Sequence, residues 1–221
     1  IGITNDLTLD LTVNPDFGQV DADPSAIALD GFQIFFQERR PFFVENKNIF
    51  DFRVSQSEAG NTFGSDNIFY SRRIGRSPQG YPDTADGEFV DQPDNTPIIG
   101  AAKFSGKTKD GWAIGMLESV TAQRTATIIK DEGGTRKEMV EPLTNYFVGR
   151  LQKDFNERNS YIGGIFTATN REQIPEQLNF LHDAAYTGGL DFKHQWANRD
   201  WYVGGNITMS HVRGSEEAIT N

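Results

Sequence analysis

The chain has 221 residues, enough for one domain with a sizeable core. Its formal net charge of -10 and pI of about 4.8 disfavour phosphate-backbone binding, so no nucleic-acid partner is expected. The absence of Cys rules out disulfides and thiolate metal sites, and no apolar run approaches the roughly 18 residues of a membrane-crossing helix.

The first element is a strand within residues 1–13. Leu7, Leu9, Leu11 and Val13 alternate with Thr8, Asp10 and Thr12, and Asn14-Pro15-Asp16 ends the run. Residues 14–96 then lose the alternation and form a long insert. Asp23-Pro24 predicts a helix start, with the acid as N-cap and Pro at the first helical position. Ala28, Phe32, Phe35 and Phe36 would share one face of that helix up to about Gln37, and Arg39-Arg40-Pro41 would stop it. Ten of the 17 phenylalanines fall between Phe17 and Phe69, so the insert carries its own apolar cluster. Pro78 to Thr96 reads as an exposed polar loop.

Residues 97–221 read as an antiparallel meander. Six strands are predicted at about 97–106, 111–125, 141–155, 160–170, 184–196 and 200–213. Tyr186, Gly188, Leu190, Phe192 and His194 share one face, with Thr187, Gly189, Asp191, Lys193 and Gln195 on the other. The segment from Trp201 to Ser210 repeats the design, and so does the segment from Leu143 to Gln152. Short turns at 108–111, 155–159 and 197–200 alternate with longer loops at 126–140 and 171–183. Strands this long, with one apolar and one polar face, are the pattern of a bilayer-spanning β-barrel wall.

The expected fold class is therefore all-β: an antiparallel meander forming part of an outer-membrane-type barrel, with a Phe-rich, partly helical insert. A soluble β-sandwich is the alternative, because its strands alternate too. Trp112, Tyr146, Tyr161, Trp196 and Trp201 are expected at the membrane interface. The chain starts in a strand at Ile1 and ends in a polar stretch, which reads as a segment of a longer protein whose barrel closes with other strands.

Four stretches carry a family resemblance: LTLDLTVNPDFGQVDAD at 7–23, FFQERRPFFVE at 35–45, FYSRRIGR at 69–76 and EPLTNYFVGR at 141–150. In this order they resemble the bacterial domain of unknown function 5916 family over nearly the whole chain. The resemblance implies an envelope protein in which a family 9 carbohydrate-binding-module-like domain precedes an outer-membrane β-barrel. It implies a location and an architecture, and no reaction.

Candidate binding or lumen-lining residues are the arginines Arg39, Arg40, Arg72, Arg73 and Arg76, together with Arg150, Asp191 and Lys193. Arginine forks suit carboxylates and phosphates. The first five are better explained by internal pairing with Glu38, Glu45, Asp51 and Asp66, because charges drawn into a partly buried insert need partners. The acids Asp16, Asp21, Asp23 and Asp30 suggest a hard cation, but lack EF-hand spacing and read better as a cap and a solvated turn. His182, His194 and His211 show no ligand spacing, so no metal and no cofactor is expected. No nucleophile motif is visible, so no catalytic residue is assigned. The expected function is passage or capture of a solute, with outer-membrane lipid as surroundings and a carbohydrate ligand or an envelope protein as partner. A membrane-anchored scaffold that uses its outer loops is the first alternative, and a membrane-embedded hydrolase the second.

Overall fold

The structure is a computed structural model and describes residue 2 and residues 6–15, 35–55, 66–130 and 133–220. It is all-β with mostly antiparallel pairing, in two sheets. The larger sheet has seven strands: β1 (Leu7–Val13), β3 (Ile98–Lys107), β4 (Trp112–Thr121), β7 (Thr144–Phe155), β8 (Ser160–Arg171), β9 (Ala184–Trp196) and β10 (Trp201–Arg213). They stand side by side in that order. The smaller sheet has the order β2 (Glu88–Asp91), β5 (Arg124–Lys130) and β6 (Thr135–Glu141).

In the larger sheet, strands adjacent in space follow each other along the chain wherever a short turn joins them. The turns at 108–111, 156–159 and 197–200 therefore lie at one end, and the longer connections at the other. Two of these turns run through three successive left-handed residues: Asn156, Glu157 and Arg158, then Ala197, Asn198 and Arg199. Arg199 Nε donates to Asn159 Oδ1 at 3.0 Å and ties the two turns together.

The side-chain alternation read from sequence is the one the register produces. Leu190 lies opposite Ile207 and Phe192 opposite Gly205, while Asp191 lies opposite Asn206 on the other face. The two faces differ sharply. One is open and apolar: Leu190, Ile207 and Met209 are 66%, 69% and 76% exposed. The other is polar, yet much of it is buried. Lys103, Ser105 and Arg150 are buried there beneath residues of the 41–55 segment, alongside the buried Ala101, Leu117, Val148 and Ile165. The covered face thus has a hydrophobic core, and the opposite face leaves a contiguous set of apolar side chains uncovered.

Three expectations change. The predicted strand at 111–125 breaks after Thr121, and the predicted loop at 126–140 is the β5–β6 hairpin. Thr125, Thr127, Ile128 and Ile129 are β-branched, and Gly133 and Gly134 supply the positive φ its turn requires. The polar loop at 78–96 contains β2, whose Phe89 pairs with Ile129. The helix expected from Asp23 lies mostly outside the described residues. Its described end, Phe35 to Gln37, is not helical. Instead Pro41 opens a one-turn helix, α1 (Pro41–Val44), as its fixed φ allows at a first helical position. A short helix α2 (Glu216–Thr220) follows β10.

The interface aromatics separate by parity. Trp112, Trp196 and Trp201 stand on the open face at the short-turn end, all at least 39% exposed. Tyr161 is adjacent to the exposed Ile162 and so points to the opposite face, and Tyr146 packs against the buried cluster.

Candidate functional site

Among the described residues, the segment 41–55, here called the belt, crosses the polar face of the seven-stranded sheet. At β3, Lys103 Nζ donates to the carbonyl oxygens of Phe42 (2.6 Å) and Glu45 (3.0 Å). These are carbonyls at the end of α1, where a helix lacks internal partners and favours a cation. Asn46 Nδ2 donates to Ser105 Oγ at 3.1 Å. At β10, the far side, Asn206 Nδ2 donates to the carbonyls of Arg53 (3.1 Å) and Val54 (3.0 Å).

Between these anchors the belt seats aromatic rings where the sheet has no side chains. A Cβ on Gly115 would lie 2.9 Å from Ile49 and Phe50 atoms, and one on Gly189 would lie 2.6 Å from Phe52 Cζ. Ser105, Gly115, Arg150, Ile165 and Gly189 are successive cross-strand partners, so the belt lies along one row of the sheet. Phe43, Phe50, Phe52 and Ile74 pack there against Ala101, Leu117, Val148 and Ile165. A cavity of about 20 Å³ remains beside Asp51, Asn67, Tyr70 and Lys103, with room for about one water molecule. Burial pushes the Asp51 carboxyl up from its ordinary range, against the pull of Lys47, Arg53 and Arg150.

Arg150 holds the centre of this row. Its guanidinium donates to both Asp191 oxygens, at 2.6 and 2.8 Å, and to Gln152 Oε1 at 3.2 Å. Its Cζ lies 5.2 Å from the Phe52 ring centroid. Gly163 leaves the room for this pair, since a Cβ there would meet Arg150 and Asp191 at 2.8 Å. The network continues from Gln152 to Asp154 (2.8 Å) and from Asp154 to Lys107 (2.6 Å). The third sheet residue singled out from sequence, Lys193, stands over the Tyr202 ring at 5.0 Å. Arg150, Asp191 and Lys193 are thus gathered on one face, as the alternation predicted.

The five insert arginines do not join them. Arg40 is buried and pairs with Glu38 through Nε (2.9 Å) and NH2 (2.7 Å), and it also donates to the carbonyls of Ile74 and Ser71. Burial pushes the Glu38 carboxyl up. The hydrogen bonds and charge of Arg40 and the Ser71 hydroxyl outweigh it and hold Glu38 below the usual carboxylate range. Arg72 donates to the Gln37 carbonyl at 3.0 Å, and Arg76 lies 3.6 Å from Glu141. Arg39 and Arg73 are on the surface. Internal pairing, with Glu38 as the chief partner, describes Arg40 correctly. The acid run at 16–30 lies outside the described residues.

Sequence reasoning missed Lys103, Asn206 and the glycines 115 and 189 as belt contacts. Their place on the polar face was readable from parity, but what they touch was not. It also missed Ser160, whose Oγ lies 2.7 Å from His194 Nδ1. Ser160 is buried, and among the described residues no carboxylate orients that imidazole. The pair therefore reads as a satisfied buried hydroxyl. Among the described residues no group of three or more acids and histidines is placed to hold a metal ion.

No curated protein and no solved structure matches the chain. The family model described as domain of unknown function (DUF5916) matches residues 1–221, the whole chain, and the chain therefore belongs to that family.

Proposed function

We propose that this chain forms part of the wall of a bacterial outer-membrane β-barrel, and that its belt controls passage or capture of a solute along the barrel interior. In this reading residues 1–13 and 97–221 supply wall strands, and residues 14–96 supply the insert that occupies the lumen. The observation that carries it is the uncovered apolar face of the seven-stranded sheet, with Leu190, Ile207 and Met209 exposed, while Lys103 and Arg150 on the opposite face lie buried.

The dimensions support it. The ten residue steps from Tyr186 to Trp196 along β9 cover about 33 Å at about 3.3 Å per residue. A strand tilt of about 40° would reduce this to about 25 Å, the height of an outer-membrane apolar band. Trp112, Trp196 and Trp201 would mark one boundary, and the row of Glu118, Tyr186 and His211 the other. Glu118 accepts a hydrogen bond from Asn145, which suits a headgroup level better than hydrocarbon. Turning Arg150 and Asp191 toward lipid would be costly, and facing the lumen avoids this.

Mechanism then rests on lining rather than on bond chemistry. The Arg150–Asp191 pair fixes local charge, and the belt sets access. Deleting residues 24–76 is expected to raise single-channel conductance of the full protein in planar bilayers, and unchanged conductance would contradict a lumen role for the insert. A carbohydrate-related solute fits the polar, tyrosine-bearing face.

A second reading has one specific support. Phe89 and Ile129 are paired neighbours in the smaller sheet and are 64% and 43% exposed, with Tyr81 at 79% nearby in sequence. Such a patch suits contact with an envelope protein, the barrel then serving as anchor. Loop exchange at 124–141 that abolishes partner capture while leaving solute uptake intact would select it.

A further inference from the structure

On the short-turn side of the belt, the polar face carries a row that the belt contacts do not reach. Asp154, Tyr161, Lys193 and Gly204 are successive cross-strand partners on β7, β8, β9 and β10. Gln195 and Tyr202, themselves paired, stand in the next row toward the turns.

Two charge pairs stand on this side of the polar face. Lys107 pairs with Asp154 and Arg150 with Asp191. Among the described residues, Lys193 has no carboxylate at ion-pairing distance, and its ammonium rests over the Tyr202 ring instead. Gly204 opposite it has no side chain to fill the space. Tyr202 is 57% exposed, so the group is open to solvent. A cation held by an aromatic face is held less firmly than one held by a carboxylate, and a ligand carboxylate can recruit it. Tyr202 and Gln195 are neighbours in register that can serve hydroxyl groups, Tyr161 beside them also engages Asp191, and tyrosine rings present apolar faces to the C–H side of a pyranose.

We propose that Tyr161, Lys193, Gln195 and Tyr202 form a subsite for a carboxylate-bearing sugar, with Lys193 reading the carboxylate and Tyr202 packing against the ring. This deepens the solute-passage reading and rests on it. The Arg150–Asp191 pair does not compete for the same anion, because its fork is already filled by Asp191.

The test uses the full chain in detergent, titrated at low salt with trigalacturonate and, separately, with its methyl ester, which differs mainly in charge. Calorimetry is expected to give at least tenfold tighter binding of the acid. Lys193→Gln should remove that preference, and Tyr202→Ala should weaken both ligands about fivefold. Equal binding of acid and ester, no binding of either, or an unchanged preference in Lys193→Gln overturns the subsite. The same samples are run on gels with and without boiling. A mobility shift without acid preference defeats the subsite and leaves the barrel reading standing. No shift with any variant defeats the barrel reading, and the subsite with it.

Discussion

Gly188 and Gly189 are neighbours in sequence, but their substitutions should differ. A Cβ on Gly189 would collide with Phe52, whereas one on Gly188 would come no nearer than 3.9 Å to the Ile165 carbonyl oxygen. Gly189→Val is therefore expected to lower stability by about 1–3 kcal/mol through overpacking and to speed proteolysis of the belt near Arg53. Gly188→Val should do neither, as limited digestion and denaturant unfolding would show. The Arg150–Asp191 pair makes a second residue-scale prediction. Its side chains are 2% and 12% exposed, so removing either partner strands a charge in a dry setting. Arg150→Met or Asp191→Asn alone should each cost about 3–5 kcal/mol. The double variant should cost clearly less than the sum, which an unfolding cycle measures. At this scale the face of Arg150, Asp191 and Lys193 was legible, because period-two alternation allows only two choices. The pairing of Arg150 with Asp191 across 41 positions of sequence was not, since register depends on turn lengths and partner strands.

At the scale of elements, the belt joins α1 to β10 without adding a strand to the sheet. Local sequence signals describe it poorly for that reason. Pro41 marks where a helical turn starts, but nothing in the run Phe42 to Phe52 says that its rings need glycine seats on β4 and β9. The reverse error occurred at 126–140, where charged residues suggested a loop. Of those charges, Arg136 pairs with Glu138 within the hairpin and with Glu88 of the neighbouring β2. The foot of the belt has its own pH dependence. Glu38 has a folded-state pKa below its ordinary 4.5, so its contribution to stability is complete above that value. It is lost as the pH falls through the lowered folded value. Asp51 works in the opposite sense, because burial raises its pKa and ionisation then costs stability above the ordinary 3.8. Glu38→Gln should loosen residues 35–55 at neutral pH and flatten their loss of protease protection on the acid side. An acid profile unchanged by Glu38→Gln would remove Glu38 from that role.

For the whole molecule, the all-β class and strand direction were readable from repeated alternation, and β1, β3, β4 and β7 to β10 carry it. Alternation alone leaves two architectures open, because a sandwich and a barrel wall share the same period. Burial, which sequence does not contain, adds that Leu190 and Ile207 are exposed on one face while Lys103 and Arg150 are covered on the other. The chain lacks cysteine, so single cysteines can report each face without background labelling. The most direct measurement places one at Ile207 and, in a second variant, at Thr208, with the full protein reconstituted in liposomes. A wall embedded in lipid requires that a membrane-impermeant maleimide label Thr208→Cys and spare Ile207→Cys, and that a lipid-soluble maleimide reach Ile207→Cys. Rapid labelling of Ile207→Cys by the impermeant reagent would place the apolar face in water and contradict the barrel wall.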